Sequence, residues 1–591
     1  MARPSMKHAP KLATPAERRQ VERTHPALVM LTTEKGATAP LRPLATLLAQ
    51  ALATEFGDAV IVVHLAEHAL PEEHWRAISG PPSLAPSTSI AGPHSRQSGI
   101  ETDTGHADHL MLAVPADPRG AAEVLLDRIR PLFARYAYVF VDASARGHEF
   151  HRRLEDEISI SDIHGVVRRL VVLGREDDGL HGDPGPRSRP SASRPARRYG
   201  PTGFTLPPPP PWSVLRTRVL RPHPPEHMPA PELSPDGVRA SAAAAKRMFE
   251  QLIARLGGSA VEPSGEPYPS ERVVPERCRV HLDLDAIAHL DEPVLARLPM
   301  AARSSFTRWA RALTWRRVGV ALGGSGAWGY AHVALLQEME DRGIPVDLIG
   351  GSSSGALMGA YYSVLGRPGL DLAVERGPRF ERLALVSTIT STVIDLGVES
   401  DLGGALLEDL EIMLLPVATN LSHARAEVIT KSTVASAVRA SASAPGVFAS
   451  TITRSGLYVD GAVTDNVPVV LVERMGADLL LACNPLPPPT SVHVRAPTTP
   501  FSDFMAELNP MNRLRDLLVS FELMFHDFGD CEAAETRIVY EPAPETGPLF
   551  RTFNYGRSRE LVEEVKREEN FRSAVQRSAD AWAKLATPRA G

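Results

Sequence analysis

The chain has 591 residues, a formal net charge of -6 and 43% hydrophobic residues, with 53 prolines and only 3 cysteines. Length alone predicts roughly four domains at about 150 residues each. The slightly acidic balance argues against a nucleic-acid binder, which carries a basic face. Cys278, Cys483 and Cys531 stand too far apart for a metal-type pair or a disulfide framework, which fits a reducing compartment. No run of about 18 apolar residues reads as a spanning helix. The first residues lack the apolar core of a secretory signal. A cytoplasmic, multi-part protein is expected.

Residues 1–26 mix Arg, Lys, Glu and Pro and are expected to form a flexible tail. Residues 27–175 read as a nucleotide-binding-like α/β domain. Short apolar runs at 27–32, 59–64, 109–114, 138–142 and 170–173 have strand length, and helical spacing fills 43–56 and 121–136. Strands alternating with helices predict a parallel sheet. The turn after the first strand, Thr33-Glu-Lys-Gly36, lacks phosphate-loop spacing, so no nucleotide site is read there.

Residues 176–270 form a proline-rich linker with a helix expected over 241–256. Residues 181–240 hold 16 prolines, about five times the usual share, and predict an extended spacer without a packed core. The run 207–211 fits an SH3-type ligand less well than a plain spacer. Residues 271–317 read as a connecting segment. Its His281, Asp283, Asp285 and His289 resemble a metal cluster, but a half-exposed strand explains the alternation better.

From residue 318 onward the chain carries chemistry. Val318-Gly-Val-Ala-Leu322 is a buried-strand run, followed by Gly323-Gly-Ser-Gly-Ala-Trp-Gly329 and a helix over 330–342 ended by Gly343. Strand, Gly-rich turn and helix start together form an anion site. Gly324, Gly326 and Gly329 also satisfy GxGxxG, which makes a dinucleotide oxidoreductase a rival. That fingerprint needs an acidic residue ending the next strand. Asp347 starts that strand instead. What ends it is Gly351-Ser-Ser-Ser-Gly355, a G-x-S-x-G sequence between strand and helix, the setting of a nucleophile elbow with Ser353 at its centre.

A serine hydroxyl needs a base. Asp460 ends the strand-like Leu457-Tyr-Val459 before Gly461. His423, His493 and His526 have no comparable setting, so a Ser353–Asp460 dyad is better supported than a triad. An ordinary Asp is a feeble base, and burial would raise its basicity.

These pieces resemble the patatin-like phospholipase family. Gly324-Ser-Gly-Ala-Trp-Gly329 is similar to its oxyanion motif GGGxRG, Gly351-Ser-Ser-Ser-Gly-Ala356 to its elbow GTSxGA, and Asp460-Gly-Ala462 to its DG[GA]. Residues 438–448 resemble its R-A-S-x-S-x-P-G segment, and Asn466 and Pro468 its N-x-P. The run 306–313 resembles the approach to the domain in the bacterial and neuropathy-target-esterase-like branch, here without a recognisable cyclic-nucleotide-binding domain. The resemblance implies a three-layer α/β/α hydrolase domain over 318–591. It implies Ser353 as nucleophile and Asp460 as general base. The N–H groups of Gly324, Ser325 and Gly326 would bind the oxyanion, and Gly329, Gly351, Gly355 and Gly461 would support the turns. No metal or cofactor is implied. The substrate class would be a phospholipid or lysophospholipid, met at a membrane surface from outside. Two departures stand out: Ser325 replaces a glycine, and Trp328 replaces the family's basic residue. Trp328 and the long linker motivate the alternative of a catalytically weakened or inactive lipid-binding or scaffold protein. Residues 501–591 are expected to complete the sheet and to form an acyl-facing lid, and the apolar segment 521–525 fits core packing better than a lipid-compatible surface.

Overall fold

The computed structural model describes residues 26–33, 39–66, 107–113, 118–142, 167–174, 213–220, 263–270, 273, 276–290, 292–381, 392–445, 447–486, 536–539 and 554–589. The N-terminal tail up to residue 25, the proline run 207–211, the helix expected at 241–256, Cys531 and the apolar segment 521–525 lie outside these residues.

Two sheets organise the chain. The first contains β1 (Ala27–Thr33), β2 (Val60–Ala66), β3 (Asp108–Ala113), β4 (Tyr138–Asp142), β5 (Val167–Gly174), β6 (Ser213–Leu220) and β8 (Glu276–His281), in the order β3-β2-β4-β1-β5-β6-β8. Every pairing in it is parallel. Its central strands β1, β2 and β4 are largely apolar because both faces are covered there. Helix α1 (Leu41–Phe56) packs on one face and α2 (Pro118–Ile129) on the other.

The second sheet holds β9 (Val318–Leu322), β10 (Leu348–Ser352), β11 (Met413–Asn420), β13 (Thr451–Thr453), β14 (Gly456–Asp460), β15 (Leu479–Asn484) and β16 (Thr536–Val539), in the order β13-β14-β11-β10-β9-β15-β16. β12 (Arg425–Lys431) branches from β11 and pairs with β7 (Ser264–Pro267). The central strands β11, β10, β9, β15 and β16 are parallel. Helices α3 (Met300–Leu313), α4 (Tyr330–Asp341) and α5 (Ser354–Leu365) cover one face. The short helix Val469–Arg474 covers the other, which gives three layers.

Two expectations about residues 176–317 differ from the structure. β6 lies inside the stretch read as linker, with Leu215 fully buried. The prolines flank this strand but do not enter it, so the average over the window concealed an eight-residue element. The expected strand through Asp283 and Asp285 stops at His281. Asp283 instead accepts the Ala286 N–H at 2.9 Å and caps the helix Leu284–Ala288. A short acidic side chain just before an apolar helical turn is a normal N-cap, which accounts for the residue.

The two sheets share one core, because α1 packs against α3 across it. A buried ion pair sits at that junction. Arg316 meets Asp58 through Nη2 and Oδ1 at 3.1 Å, with both side chains almost completely buried. Arg316 also donates to the Leu585 and Thr587 carbonyls and stacks over Phe56 at 4.0 Å. The Arg589 N–H gives Asp58 a further bond at 2.7 Å. First sheet, second sheet and final helix are thus tied at one point. Arg316→Ala leaves the Asp58 charge buried without its cation, and should cost about 3–5 kcal/mol. A urea melt checks this. A midpoint equal to that of the wild type would contradict it.

Candidate active site

β10 runs into α5 through a one-residue corner, and Ser353 occupies it at φ 52 and ψ -118. Positive φ at a residue bearing a side chain costs free energy and persists only where surroundings enforce it. Three contacts do so here. The Ser353 N–H donates to Ser441 Oγ at 3.0 Å. The Ser352 hydroxyl donates to the Asp465 carbonyl at 2.7 Å. Gly355 lies directly on β9, where an added Cβ would collide with the Leu322 carbonyl. Gly355→Ala should therefore displace the corner, costing about 3 kcal/mol or more as an overpacked backbone contact. The check is thermal unfolding together with esterase rate. An unchanged melting temperature with full activity would refute the close approach.

The structure brings Asp460 to Ser353. β14 lies antiparallel to β11, with Asp460 opposite Ala418. β10 lies parallel on the other side of β11, with Ser352 opposite Val417. The two residues therefore stand at the same level, two strands apart. The Asp460 carboxylate is buried, and the Ser353 side chain lies near enough to it to lower its pKa. It accepts the Ala462 N–H at 2.9 Å. Burial pushes its pKa up from 3.8 to about 6, against the lowering effect of the Ala462 N–H and of Ser353. Its backbone is fixed as well: the Asp460 N–H donates to the Ser443 carbonyl at 2.9 Å. Ser441 and Ser443, on one short segment, thus hold the backbones of both partners.

Asp465 is half-buried, and desolvation raises its pKa to about 6 as well. Its carboxylate accepts the Tyr268 hydroxyl at 2.9 Å. Of the two, Asp460 alone has its pKa lowered by Ser353.

The Gly-rich turn packs beside the serine. A Cβ placed on Gly324 would stand 3.0 Å from Ser353 Cβ. The three N–H groups expected at this turn are not equivalent. Gly324 donates to Asn466 Oδ1 at 2.8 Å, and Ser325 donates to Ser354 Oγ at 3.0 Å. Gly326, at φ 58, opens the 3-10 turn Gly326–Gly329 and is half-exposed. N–H groups in the first turn of a helix have no intrahelical acceptor. Gly324 and Ser325 thus have side-chain acceptors for their amides, while Gly326 and Ala327 begin the 3-10 turn. Sequence spacing could not reveal this, because the acceptors come from residues 29 and 142 positions away.

The remaining supporting glycines sit at close approaches. A Cβ on Gly351 would be 2.6 Å from the Ala356 N, one on Gly329 would be 2.7 Å from Ser354 Cβ, and one on Gly461 would meet the Val417 carbonyl. Trp328 is buried in the main core. An apolar ring fills the place where the sequence comparison expects a basic residue.

His332 and Ser354 were not singled out from the sequence. His332 is fully buried and hydrogen-bonds the Gly323 carbonyl through Nε2 at 2.7 Å. Burial lowers its pKa to about 4, so it stays neutral and anchors the turn. Tyr555, from the C-terminal part, packs edge-on against Tyr330 and Phe380, and its pKa is raised by burial and by the Asp460 charge. Asp347, the residue weighed for a ribose contact, is instead buried against Arg311 at 2.8 Å. That pairing leaves the dinucleotide reading without its acidic partner.

The family model for patatin-like phospholipase matches residues 320–472. Three curated relatives are similar over this part. Lysophospholipase NTE1 of Mycosarcoma maydis is 29% identical over 242 residues, covering 39% of this chain and 13% of the relative. Lysophospholipase NTE1 of Yarrowia lipolytica is 29% identical over 197 residues, covering 31% and 14%. Lysophospholipase nte1 of Emericella nidulans is 34% identical over 193 residues, covering 30% and 12%. The matched region is therefore about an eighth of each relative's length.

Proposed function

We propose, from the premise that this chain belongs to the patatin-like phospholipase family, that it is a serine lipid acyl hydrolase acting on phospholipid or lysophospholipid esters. One observation carries the reading: a serine held at positive φ on a strand-to-helix corner, level with a buried carboxylate whose pKa it lowers. Ser353 Oγ attacks the ester carbonyl carbon while Asp460 takes its proton. The carbonyl oxygen becomes an oxyanion, which the Gly326 and Ala327 amides and the start of α4 stabilise. Collapse of the tetrahedral intermediate expels the alcohol, which receives the proton from Asp460. Water, deprotonated by Asp460, then attacks the acyl-serine; collapse releases the fatty acid as Asp460 returns the proton to Ser353 Oγ.

An Asp with an ordinary pKa holds protons too weakly for this work, and general bases perform best with a pKa near the working pH. Burial supplies that match here. Release of fatty acid from lysophosphatidylcholine tests the reading. Turnover by the wild type that vanishes in Ser353→Ala supports it. Lipid binding that is indifferent to Ser353→Ala, with no fatty acid released, favours the lipid-binding scaffold instead. The buried Trp328 in place of a basic residue is the observation on that side.

A further inference from the structure

The glycine turn leaves β9 with its first polar groups held by different parts of the chain. The Gly323 N–H donates to the Cys483 carbonyl of β15 at 3.0 Å. The Gly323 carbonyl accepts from His332 Nε2 at 2.7 Å, and the Gly324 N–H donates to Asn466 Oδ1 at 2.8 Å. That carbonyl and that N–H belong to one peptide group. In a trans peptide they point in opposite directions. His332 and Asn466, both fully buried, therefore grip the two poles of a single peptide plane from either side. Glycine adopts φ of either sign without a Cβ penalty. A peptide between two glycines can thus turn over unless its polar groups are held.

Side chains on a helix lean toward its N-terminus. His332 is the third residue of α4, so its ring leans back over the turn that feeds the helix. A carbonyl only accepts, so Nε2 carries the proton and Nδ1 is a bare acceptor. Nδ1 is buried and has no hydrogen-bond partner among the described residues. A polar atom left in this way costs free energy, and an apolar side chain of similar volume would avoid that cost. What the histidine supplies, and an apolar side chain does not, is the N–H at the Gly323 carbonyl. Burial lowers its pKa to about 4, so the ring keeps this neutral form at neutral pH. The gripped peptide borders the reacting groups. A Cβ on Gly324 would stand 3.0 Å from Ser353 Cβ and 3.3 Å from Ala462 Cβ. Gly324 thus packs between the nucleophile and the turn that follows Asp460, and a turned peptide would push against both.

We propose that His332 is a positioning residue: together with Asn466 it locks the Gly323–Gly324 peptide in one orientation and so holds the glycine turn in register with Ser353. The inference deepens the hydrolase reading and rests on it for the reaction that the turn serves. His332 acts through the Gly323 carbonyl, and no proton moves at its ring. Loss of the donor frees the peptide to turn. Misplacing a catalytic group by about 1 Å costs on the order of 10²-fold in rate.

The test uses full-length protein and a soluble short-chain nitrophenyl ester, with active sites counted by a fluorophosphonate probe taken to completion. His332→Leu fills the space and removes the donor. Its kcat per labelled site should fall about 10–100-fold, with KM within about twofold of the wild type. His332→Gln carries an N–H near the place of Nε2 and should return kcat to within about fivefold of the wild type. Asn466→Leu should act in the same direction as His332→Leu. The double variant should lose less than the product of the two losses, because both side chains hold one peptide. A histidine with only a structural role would lower the melting temperature or the number of labelled sites and leave kcat per site unchanged. That result overturns the proposal, as does a Gln variant no better than Leu, or losses that multiply. If the wild type cleaves no ester and takes no probe, the hydrolase reading falls. Crystal structures of the wild type and His332→Leu then decide the clamp: it stands if the Gly323–Gly324 peptide has turned in the variant, and it fails if the peptide keeps its orientation.

Discussion

Ser353→Ala should abolish lipid ester hydrolysis, with a loss of at least about 10³-fold, because the proposed acyl intermediate forms on its hydroxyl. Three hydroxyls lie close together at this corner, and their bonds distinguish them. Ser352 Oγ is committed to the Asp465 carbonyl, and Ser354 Oγ accepts the Ser325 amide. Only Ser353 combines the strained corner conformation with the carboxylate. Ser352→Ala and Ser354→Ala should therefore retain turnover, with any loss reflecting a shifted turn. Fatty-acid release measured for all three variants checks the assignment. A Ser353→Ala protein with more than a small residue of activity contradicts it.

Asp460→Asn should lower kcat/KM by about 10²–10⁴-fold, the usual worth of a general base. The amide keeps the shape but cannot take the proton. The pH profile is the more specific readout. The active form is the carboxylate, and burial holds its pKa near about 6. Below that value the acid form predominates, so kcat/KM should fall about tenfold per pH unit, and above it the rate should level off. Asp465 shares the raised pKa but bonds Tyr268. Asp465→Asn should leave the position of the inflection unchanged. A flat profile from pH 4.5 to 8, or an inflection that disappears with Asp465→Asn, would move the base away from Asp460.

The order strand, glycine turn, helix, strand, G-x-S-x-G, helix was legible because each piece has a local physical cause. Short apolar runs make buried strands, small residues permit the corners, and the aspartate follows a strand at a glycine. The structure places Ser353 and Asp460 at one level because parallel and antiparallel pairing around β11 brings two strand ends together. That step needs register, which one sequence does not contain. The partners of the amides in the glycine turn were not legible for a similar reason. Gly324 and Ser325 look equivalent to Gly326 in a motif, yet Asn466 and Ser354 reach them from elsewhere.

The first α/β block was read correctly as parallel α/β, but its extent was not. β6 and β8 belong to its sheet although proline-rich sequence and a segment read as a connector precede and contain them. Leu215, Thr217 and Val219 alternate with Arg216 and Arg218, a strand pattern that the surrounding proline count obscured. The Arg316–Asp58 pair joins positions 258 residues apart, so nothing local could announce it.

The account stands or falls on a single covalent event at Ser353. Full-length protein treated with a fluorophosphonate probe and digested for tandem mass spectrometry should carry the adduct on Ser353. Labelling should slow in Asp460→Asn and vanish in Ser353→Ala. An adduct on another serine, or labelling that survives Ser353→Ala, would contradict the assignment of this corner as the nucleophile.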